Sequence, residues 1–459
     1  MSGEAAAVAD NLLVSITGVV NLWLAGKCPE SLGEFIGSAP LTPLLKPGGG
    51  IRPIAVGRVW RRLVSKVAAF SVGKYMSSYL GDYNLVLECL MVERAFYMLS
   101  QLIKEVRLHC PGISRWVEFC YLQPTKLYYD QYILSSTLGV QQGDPLGPLM
   151  FTLTLHPLVK FIASQCKLDL QAWYLDNGTI IGDTLEVAKA LHIIETEGPG
   201  RGLHLNVKKT EVFWPSIDPR STADGVFPRD IGRPTNGVEL LGGPVSLDLN
   251  FISDMMLTRV NKNVQLMAAI KKLKDPQSKM LLLRNCTCVS RLYFAMRTTN
   301  PASLQPASEI FDDHLLKYLR LLITGDGADF GPLQQRSATL PIKDGGLGIY
   351  TMDDTRNYCY LASQSQTASV QKIILGKLSS TNKFSAYQMA LQNFIQCLGP
   401  RQFRVVLCNR LGIPLFVENV DIFYKASVHV RKEANLGILT DDGKDLRPAD
   451  ILVLNWDNG

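Results

Sequence analysis

Hydrophobic positions recur every three to four residues in several stretches of the chain, and this spacing predicts amphipathic helices. The first such stretch covers residues 4–26, with Leu13, Ile16, Val20 and Trp23 on one face. A second begins at Asp254 and continues to Thr299. Its predicted apolar face comprises Met256, Val260, Val264, Met267 and Ile270, and lysines at 262, 271, 272 and 274 occupy the remainder.

The stretch from Leu138 to Asp183 combines a helical pattern with a strand-like one. Asp144 is a good helix N-cap, Pro145 suits a first helical turn, and an apolar helical face follows. Apolar and polar residues then alternate until Asp176-Asn177-Gly178, which predicts a β hairpin. A hairpin that presents a carboxylate at its tip is a plausible metal site, and a simple tight turn is the alternative.

A basic block precedes this stretch. No Asp or Glu occurs from Phe35 to Gly81, whereas seven Lys or Arg do. Arg58, Arg62 and Lys66 recur four residues apart, which predicts one cationic helix stripe with Trp60, Leu63, Val64 and Val67 on the opposite face. Such a stripe suits phosphate groups, and a solvated basic surface is the alternative.

The composition indicates a globular chain with two or three domains. The 459 residues are 47% apolar and 19% charged, and a net charge of +6 mildly favours a polyanionic partner. The ten cysteines include no C-x-x-C pair, so neither a standard zinc site nor a disulfide framework is expected, and the predicted location is intracellular. The apolar run Asn11–Gly26 is short and contains two Asn, so no membrane span is expected.

Gln142-Gly143-Asp144-Pro145 before an apolar helix, followed by Tyr174-Leu175-Asp176-Asn177 in a hairpin, resembles the palm of a reverse transcriptase of non-LTR (LINE-like) retroelements. The resemblance implies that Gln142, Gly143, Pro145 and Tyr174 lie against template and incoming nucleotide. It also implies that Asp176 holds a catalytic Mg²⁺ or Mn²⁺. Asn177 stands where the family has a second metal-binding aspartate.

Two further segments extend the resemblance. Lys46-Pro47-Gly48-Gly49-Gly50-Ile51-Arg52-Pro53-Ile54 is similar to the fingers signature of the family, one residue short. It implies that Arg52 contacts the triphosphate, with Arg62 and Lys66 near the template. Residues 202–211 resemble the motif whose lysine, here Lys209, helps to neutralise the triphosphate, and residues 240–243 resemble the hairpin that grips the primer.

The resemblance fails where the family has its first catalytic aspartate. That residue lies on a strand, but residues 85–108 have helical periodicity and offer Glu93 alone at the aligned position. We therefore expect a partly deleted or mis-spliced palm. No Cys follows Cys408, so the zinc knuckle that the resemblance implies for fuller relatives is not expected in this sequence. Residues 444–453 resemble the first strand of a restriction-like endonuclease, which implies a truncated nuclease stub.

The expected fold is therefore α/β (α+β), a polymerase right hand with fingers, palm and helical thumb. The predicted regions are fingers at 1–83, a degenerate palm segment at 84–110, the palm core at 111–250, the thumb at 251–330, a post-thumb region at 331–410 and the nuclease-like stub at 411–459. Three functions stay open: a retroelement remnant that binds nucleic acid without polymerising, an active RNA-directed DNA polymerase, and a domesticated RNA- or DNA-binding protein. The implied partners are an RNA template and a DNA primer.

Overall fold

The chain folds into long helices and small sheets in the computed structural model, which is mixed α/β. The structure describes residues 3–45, 50–81, 99–122, 124–136, 140–141, 143–175, 177–325, 330–339, 345–375 and 381–398, with Gly327 and Ile342. The described chain divides into two compact units. Unit 1 runs to Thr210 and includes Pro219–Ile231, and unit 2 comprises Glu211–Asp218 and the described residues from Gly232 onward.

Unit 1 contains seven described helices and six described strands. The helices are α1 (Gly3–Leu24), α2 (Gly33–Gly37), α3 (Val59–Leu80), α4 (Leu99–His109), α5 (Pro111–Tyr121), α6 (Gly147–Gln165) and α7 (Thr184–Glu197). The strands are β1 (Ala39–Leu45), β2 (Ile51–Ala55), β3 (Thr125–Tyr129), β4 (Tyr132–Ser136), β5 (Leu168–Tyr174) and β6 (Asn177–Gly182). The first four strands form one sheet in the order β2-β1-β3-β4, and β5 pairs with β6 alone.

Helix α6 forms the centre of the unit 1 core. Every residue from Gly147 to His156 is buried, as are Leu158, Val159 and Ile162. A helix that is apolar on all sides must be surrounded by other elements, and α6 packs with buried side chains of α3, α4 and α5, among them Val64, Leu102 and Trp116.

Unit 2 is a helical unit with one small hairpin. Its described elements are β7 (Val238–Leu240), β8 (Gly243–Val245), α8 (Leu249–Lys271), α9 (Pro276–Leu282), α10 (Tyr293–Thr298), α11 (Gln305–Thr324), α12 (Pro332–Thr339), α13 (Met352–Leu375) and α14 (Thr381–Leu398). Helix α8 packs against α11, and α13 packs against α10 and α11. Their shared core includes Met256, Phe311 and Met352, each fully buried.

Several helices and the hairpin are confirmed. Helix α1 covers the first predicted helix. The predicted apolar face of α8 is buried or half-buried throughout, and the lysines assigned to its other side are exposed. Strands β5 and β6 form the predicted hairpin. Residues 82–98, including Glu93, and residues 399–459, including the nuclease-like segment, lie outside the described residues.

Three local predictions are wrong. Helix α6 begins at Gly147 rather than beside Asp144, because the Asp144 side chain instead closes the turn ahead of the helix. Trp60 and Val67 are each 38% exposed, because the buried face of α3 is centred on Arg61, Val64, Ser65 and Ala68. Strand β5 ends at Tyr174 and β6 begins at Asn177, so the Asn-Gly pair belongs to β6 and not to the turn.

One helix of unit 1 is long and apolar enough to span a membrane. The window Ala7–Leu24 of α1 has a mean hydropathy of 1.5, and 6% of it is buried. This measure concerns length and composition only. The expectation of no membrane span, made for the overlapping run from Asn11, stays a prediction.

Candidate nucleic-acid interface

The loop that precedes α6 is the best-defined part of the candidate site. Gly143 has a φ of +94°, a conformation that a side chain would strain. A Cβ at this position would also lie 3.4 Å from the carbonyl oxygen of Ala55, at the end of β2. Pro145 is buried. The side chain of Gln142 lies outside the described residues. The loop therefore runs close along the end of β2, the strand that contains Arg52.

Asp144 anchors this loop to α3 and α5. Its Oδ2 accepts a hydrogen bond of 3.0 Å from Arg61 Nε and one of 2.6 Å from the Tyr121 hydroxyl, and Arg61 Nη2 lies 2.9 Å away. Its Oδ1 accepts a bond of 2.9 Å from the Leu146 backbone N–H. The side chains of Arg61 and Asp144 are each 1% exposed. This is a fully desolvated, hydrogen-bonded ion pair.

The electrostatics of this network keep Arg61 charged and Tyr121 protonated. Burial acts to lower the pKa of the Arg61 guanidinium, but Tyr121 and Asp144 outweigh it and raise that pKa. Burial, then the charge of Asp144, raises the pKa of the Tyr121 hydroxyl well above its usual value. Both groups therefore remain donors to the carboxylate. Removing one partner of such a buried pair costs about 3–5 kcal/mol.

The cationic stripe predicted on α3 lies beside this network. Arg62 and Lys66 are exposed on α3, and Arg58 is exposed directly before its first residue. Arg58 is already engaged, because its Nε donates to the Phe35 carbonyl at 3.1 Å and its guanidinium stacks 3.9 Å from the Phe35 ring centre. Arg52 pairs with Leu44 in the β1–β2 ladder, and its side chain lies outside the described residues.

The β5–β6 hairpin carries a strained turn at its tip. Tyr174 is half-buried and pairs with the exposed Asn177, and Leu175 directly follows the end of β5. Leu175 has a φ of +52° and is 6% exposed. A non-glycine residue rarely adopts this left-handed conformation, and strain of this kind concentrates at functional sites. Asp176, the predicted metal ligand, lies outside the described residues.

Packing fixes the hairpin against the central helix. Gln171 Nε2 donates to the Val159 carbonyl of α6 at 3.3 Å. Trp173 lies over Gly178 on the opposite strand, where a Cβ would come 2.4 Å from the indole ring. The loop, α6 and the hairpin are thus consecutive parts of one packed assembly.

Lys209 is separate from this assembly in its contacts. It is exposed and ends the 3₁₀ turn Val207–Lys209 in unit 1. Within the described residues, no hydrogen bond or ion pair joins Lys209 to Asp144, Arg61 or the hairpin. The described part of the chain also holds no group of three or more His, Cys, Asp or Glu side chains that could bind a metal.

Three buried residues of this network were not predicted from the sequence: Arg61, Tyr121 and Gln141. Gln141 is buried, and its Nε2 donates to the Gly37 carbonyl and to Thr125 Oγ1, each at 2.8 Å. Arg61 could have been found from its spacing, because it lies three residues before the apolar Val64 and therefore on the apolar face. Its partner is an acid in a loop far along the sequence, which periodicity alone does not reveal.

Comparison with known proteins gives one relevant similarity. No family model matches the chain. The chain is 22% identical over 383 residues to the retrotransposable element SLACS 132 kDa protein of Trypanosoma brucei gambiense, an alignment that covers 76% of this chain. The chain spans about a third, 31%, of the length of that relative. This weak similarity supports a retroelement origin for the chain.

Proposed function

We propose that this protein is a reverse-transcriptase-like protein of retroelement origin that binds nucleic acid and has lost polymerisation. In this proposal unit 1 contains fingers and palm, and the helices from α8 onward begin a thumb. The proposal extends the regions predicted from the sequence and the retroelement similarity. Its nucleic-acid ligands are an RNA template and a DNA primer.

The observation that carries the proposal is the turn between Tyr174 and Asn177. Two-residue hairpin turns need a positive φ and usually place Asn, Asp or Gly there, whereas in this hairpin a buried leucine occupies the position. The turn stands at the tip of a hairpin that follows α6 and is fixed to it, and α6 in turn follows the loop that Asp144 anchors. Loop, helix and strained hairpin turn follow the order that the reverse-transcriptase palm implies.

Polymerisation requires more carboxylates than the chain offers in this region. Two-metal nucleotidyl transfer uses acids that hold two ions about 3.5–4 Å apart. Mg²⁺ prefers charged oxygen ligands, and Asn177 supplies only a neutral amide oxygen. Asp176 would hold a metal from one side, with Lys209 near the triphosphate, but the sequence has Glu93 at the position aligned with the aspartate of the family's strand. The cations of α3 need no metal and remain available for phosphates.

Binding of single-stranded RNA across a range of salt concentrations tests the proposal. We expect affinity to fall with salt, and the combined change Arg58→Ala, Arg62→Ala and Lys66→Ala to flatten the slope. Each lost phosphate contact on a single strand reduces the slope by about 0.7, so three contacts reduce it by about 2. Arg58 contributes the smallest share of that number, because it already stacks on Phe35.

A charge-matched control separates the stripe from net charge. Lys27, Lys104 and Lys167 are exposed in unit 1 outside α3, so their combined change to alanine removes the same charge. We expect this control to leave the slope near the native value. Equal slopes for the two triple variants would contradict the proposal, because binding would then follow net charge rather than the stripe.

A further inference from the structure

We propose that Arg61 is a positioning residue. Acting through Asp144 and Tyr121, it fixes the position of the loop before α6 relative to the cationic stripe of α3. The inference rests on the proposed nucleic-acid function. Arg61 is 1% exposed and touches no ligand itself. Its role is to fix where the loop lies relative to Arg62 and Lys66, so that one strand of nucleic acid meets both.

Five separate segments converge on this network. Arg61 comes from α3, Tyr121 ends α5, and Asp144 lies in the loop. Arg61 Nη1 also donates to the Gly37 carbonyl at 2.6 Å, at the end of α2. The same carbonyl accepts from Gln141, which bridges to Thr125 at the start of β3. A shift of the loop therefore requires several charge-assisted bonds to break together.

The two carboxylate oxygens of Asp144 accept hydrogen bonds from different parts of the protein. Oδ2 faces outward from the loop and takes Arg61 and Tyr121, whereas Oδ1 takes the Leu146 N–H of the loop itself. The Asp144 carbonyl accepts from the Gly147 N–H at 2.9 Å, at the start of α6. One carboxylate thus sets the shape of the loop with one oxygen and its attachment to α3 with the other.

Stability alone gives no reason for an ion pair at this position. A buried pair is often no more stabilising than apolar side chains of similar volume. The ion pair instead fixes the orientation of the loop relative to α3, because a planar guanidinium meets a carboxylate in a narrow range of orientations. The residues of the cationic stripe are thereby positioned relative to the loop, since Arg62 follows Arg61 directly in α3 and Lys66 lies about one turn further.

A paired variant separates positioning from stability. The double change Arg61→Met and Asp144→Asn removes both buried charges, yet the new amide at position 144 keeps an oxygen for the Leu146 N–H. The attachment to α3 is cut while the loop turn is retained. Because no charge remains unpaired, we expect this variant to fold. The matched control is the exposed pair of Lys126 and Glu34, joined at 2.7 Å and changed to Met and Gln. Arg61→Lys serves as the conservative variant, since it retains the charge opposite Asp144.

Two measurements are made on the full chain. Amide hydrogen exchange reports the loop, and fluorescence anisotropy with a short single-stranded RNA reports binding by the folded protein. For the double variant we expect faster exchange at residues 143–147, unchanged protection in the middle of α6, and RNA affinity lower by about fivefold or more. Arg61→Lys should recover part of that affinity, and the exposed-pair control should match the native protein in both measurements.

Native loop exchange and native affinity in the double variant would overturn the inference, because the pair would then contribute to packing alone. Faster loop exchange with unchanged RNA affinity would also overturn it, since the held loop would have no part in binding. Absence of salt-dependent binding by the native chain would instead refute the proposed function. The exchange measurement would still decide whether Arg61 fixes the loop.

Discussion

Acidification should destabilise unit 1 through His156, a histidine enclosed in the central helix. His156 is 1% exposed, lies 4.9 Å from the Tyr79 ring centre and hydrogen-bonds the Tyr79 backbone. Burial, followed by the charges of Lys160 and His109, lowers its pKa from 6.5 to about 4. The folded protein therefore favours the neutral imidazole.

The size of the effect follows from the two pKa values. The contribution is fully present above pH 6.5 and is lost as the pH falls toward 4, because the unfolded chain then takes up the proton more readily. The change in pKa from 6.5 to about 4 corresponds to a loss of about 3 kcal/mol at the acid limit and of about 2 kcal/mol near pH 5. That is a large share of the stability of a typical domain.

Urea unfolding followed by tryptophan fluorescence measures this loss. Trp23, Trp60, Trp116 and Trp173 lie in the described part of unit 1 and report its unfolding. His156→Gln retains a donor for the Tyr79 carbonyl and cannot titrate, so it should lose less stability between pH 7 and pH 5 than the native chain. His192→Gln, at an exposed position of α7, is the control and should behave like the native chain. Equal losses for the native chain and His156→Gln would refute the reasoning.

Two further changes probe the hairpin and unit 2. Gly178→Ala should cost about 1–3 kcal/mol and shift tryptophan emission, because the new methyl group overlaps the Trp173 ring, whereas Gly73→Ala, within α3 and with open space around it, should be neutral or stabilising. If Gly178→Ala changed neither the stability nor the tryptophan emission, the Trp173 indole would not pack against this glycine. Burial, and then the nearby Asp353, raises the pKa of Asp312 to about 7, so unit 2 should lose stability as the pH rises from about 4 through 7. Urea unfolding at about pH 4 and at pH 7 measures this loss of stability, and Asp312→Asn should remove it. A loss that persists in Asp312→Asn would show that another group causes it.

The elements that the sequence predicted well are those with a regular apolar period. Helix α8 is an example, since Met256, Val260 and Met267 are all buried on the predicted face. The β5–β6 hairpin was also predicted, although Asn177 and Gly178 lie in β6 rather than in the turn. Asn-Gly favours a turn locally, but the Trp173 ring needs a glycine opposite it, and this tertiary contact determines the register.

What periodicity could not predict is polar burial. A charged side chain counts as surface in an amphipathic pattern, so Arg61 interrupted the expected face of α3 and its neighbours were assigned wrongly. Its burial depends on Asp144, 83 residues along the chain. Asp144 was predicted as a helix cap because its neighbours in sequence favour a cap. Its actual partners are distant in sequence, so a local pattern does not identify them.

Primer extension is the most direct measurement of the central claim. The native chain and Asn177→Asp are each incubated with an RNA template, a DNA primer and nucleotides in Mg²⁺ or Mn²⁺, with RNA binding measured in the same reactions. We expect bound RNA and background extension for both proteins. A carboxylate added at position 177 still lacks its strand-borne counterpart, and misplacing a catalytic group by about 1 Å already costs about a hundredfold. Clear metal-dependent product from either protein would contradict the account and identify Glu93, or another acid, as the missing metal ligand.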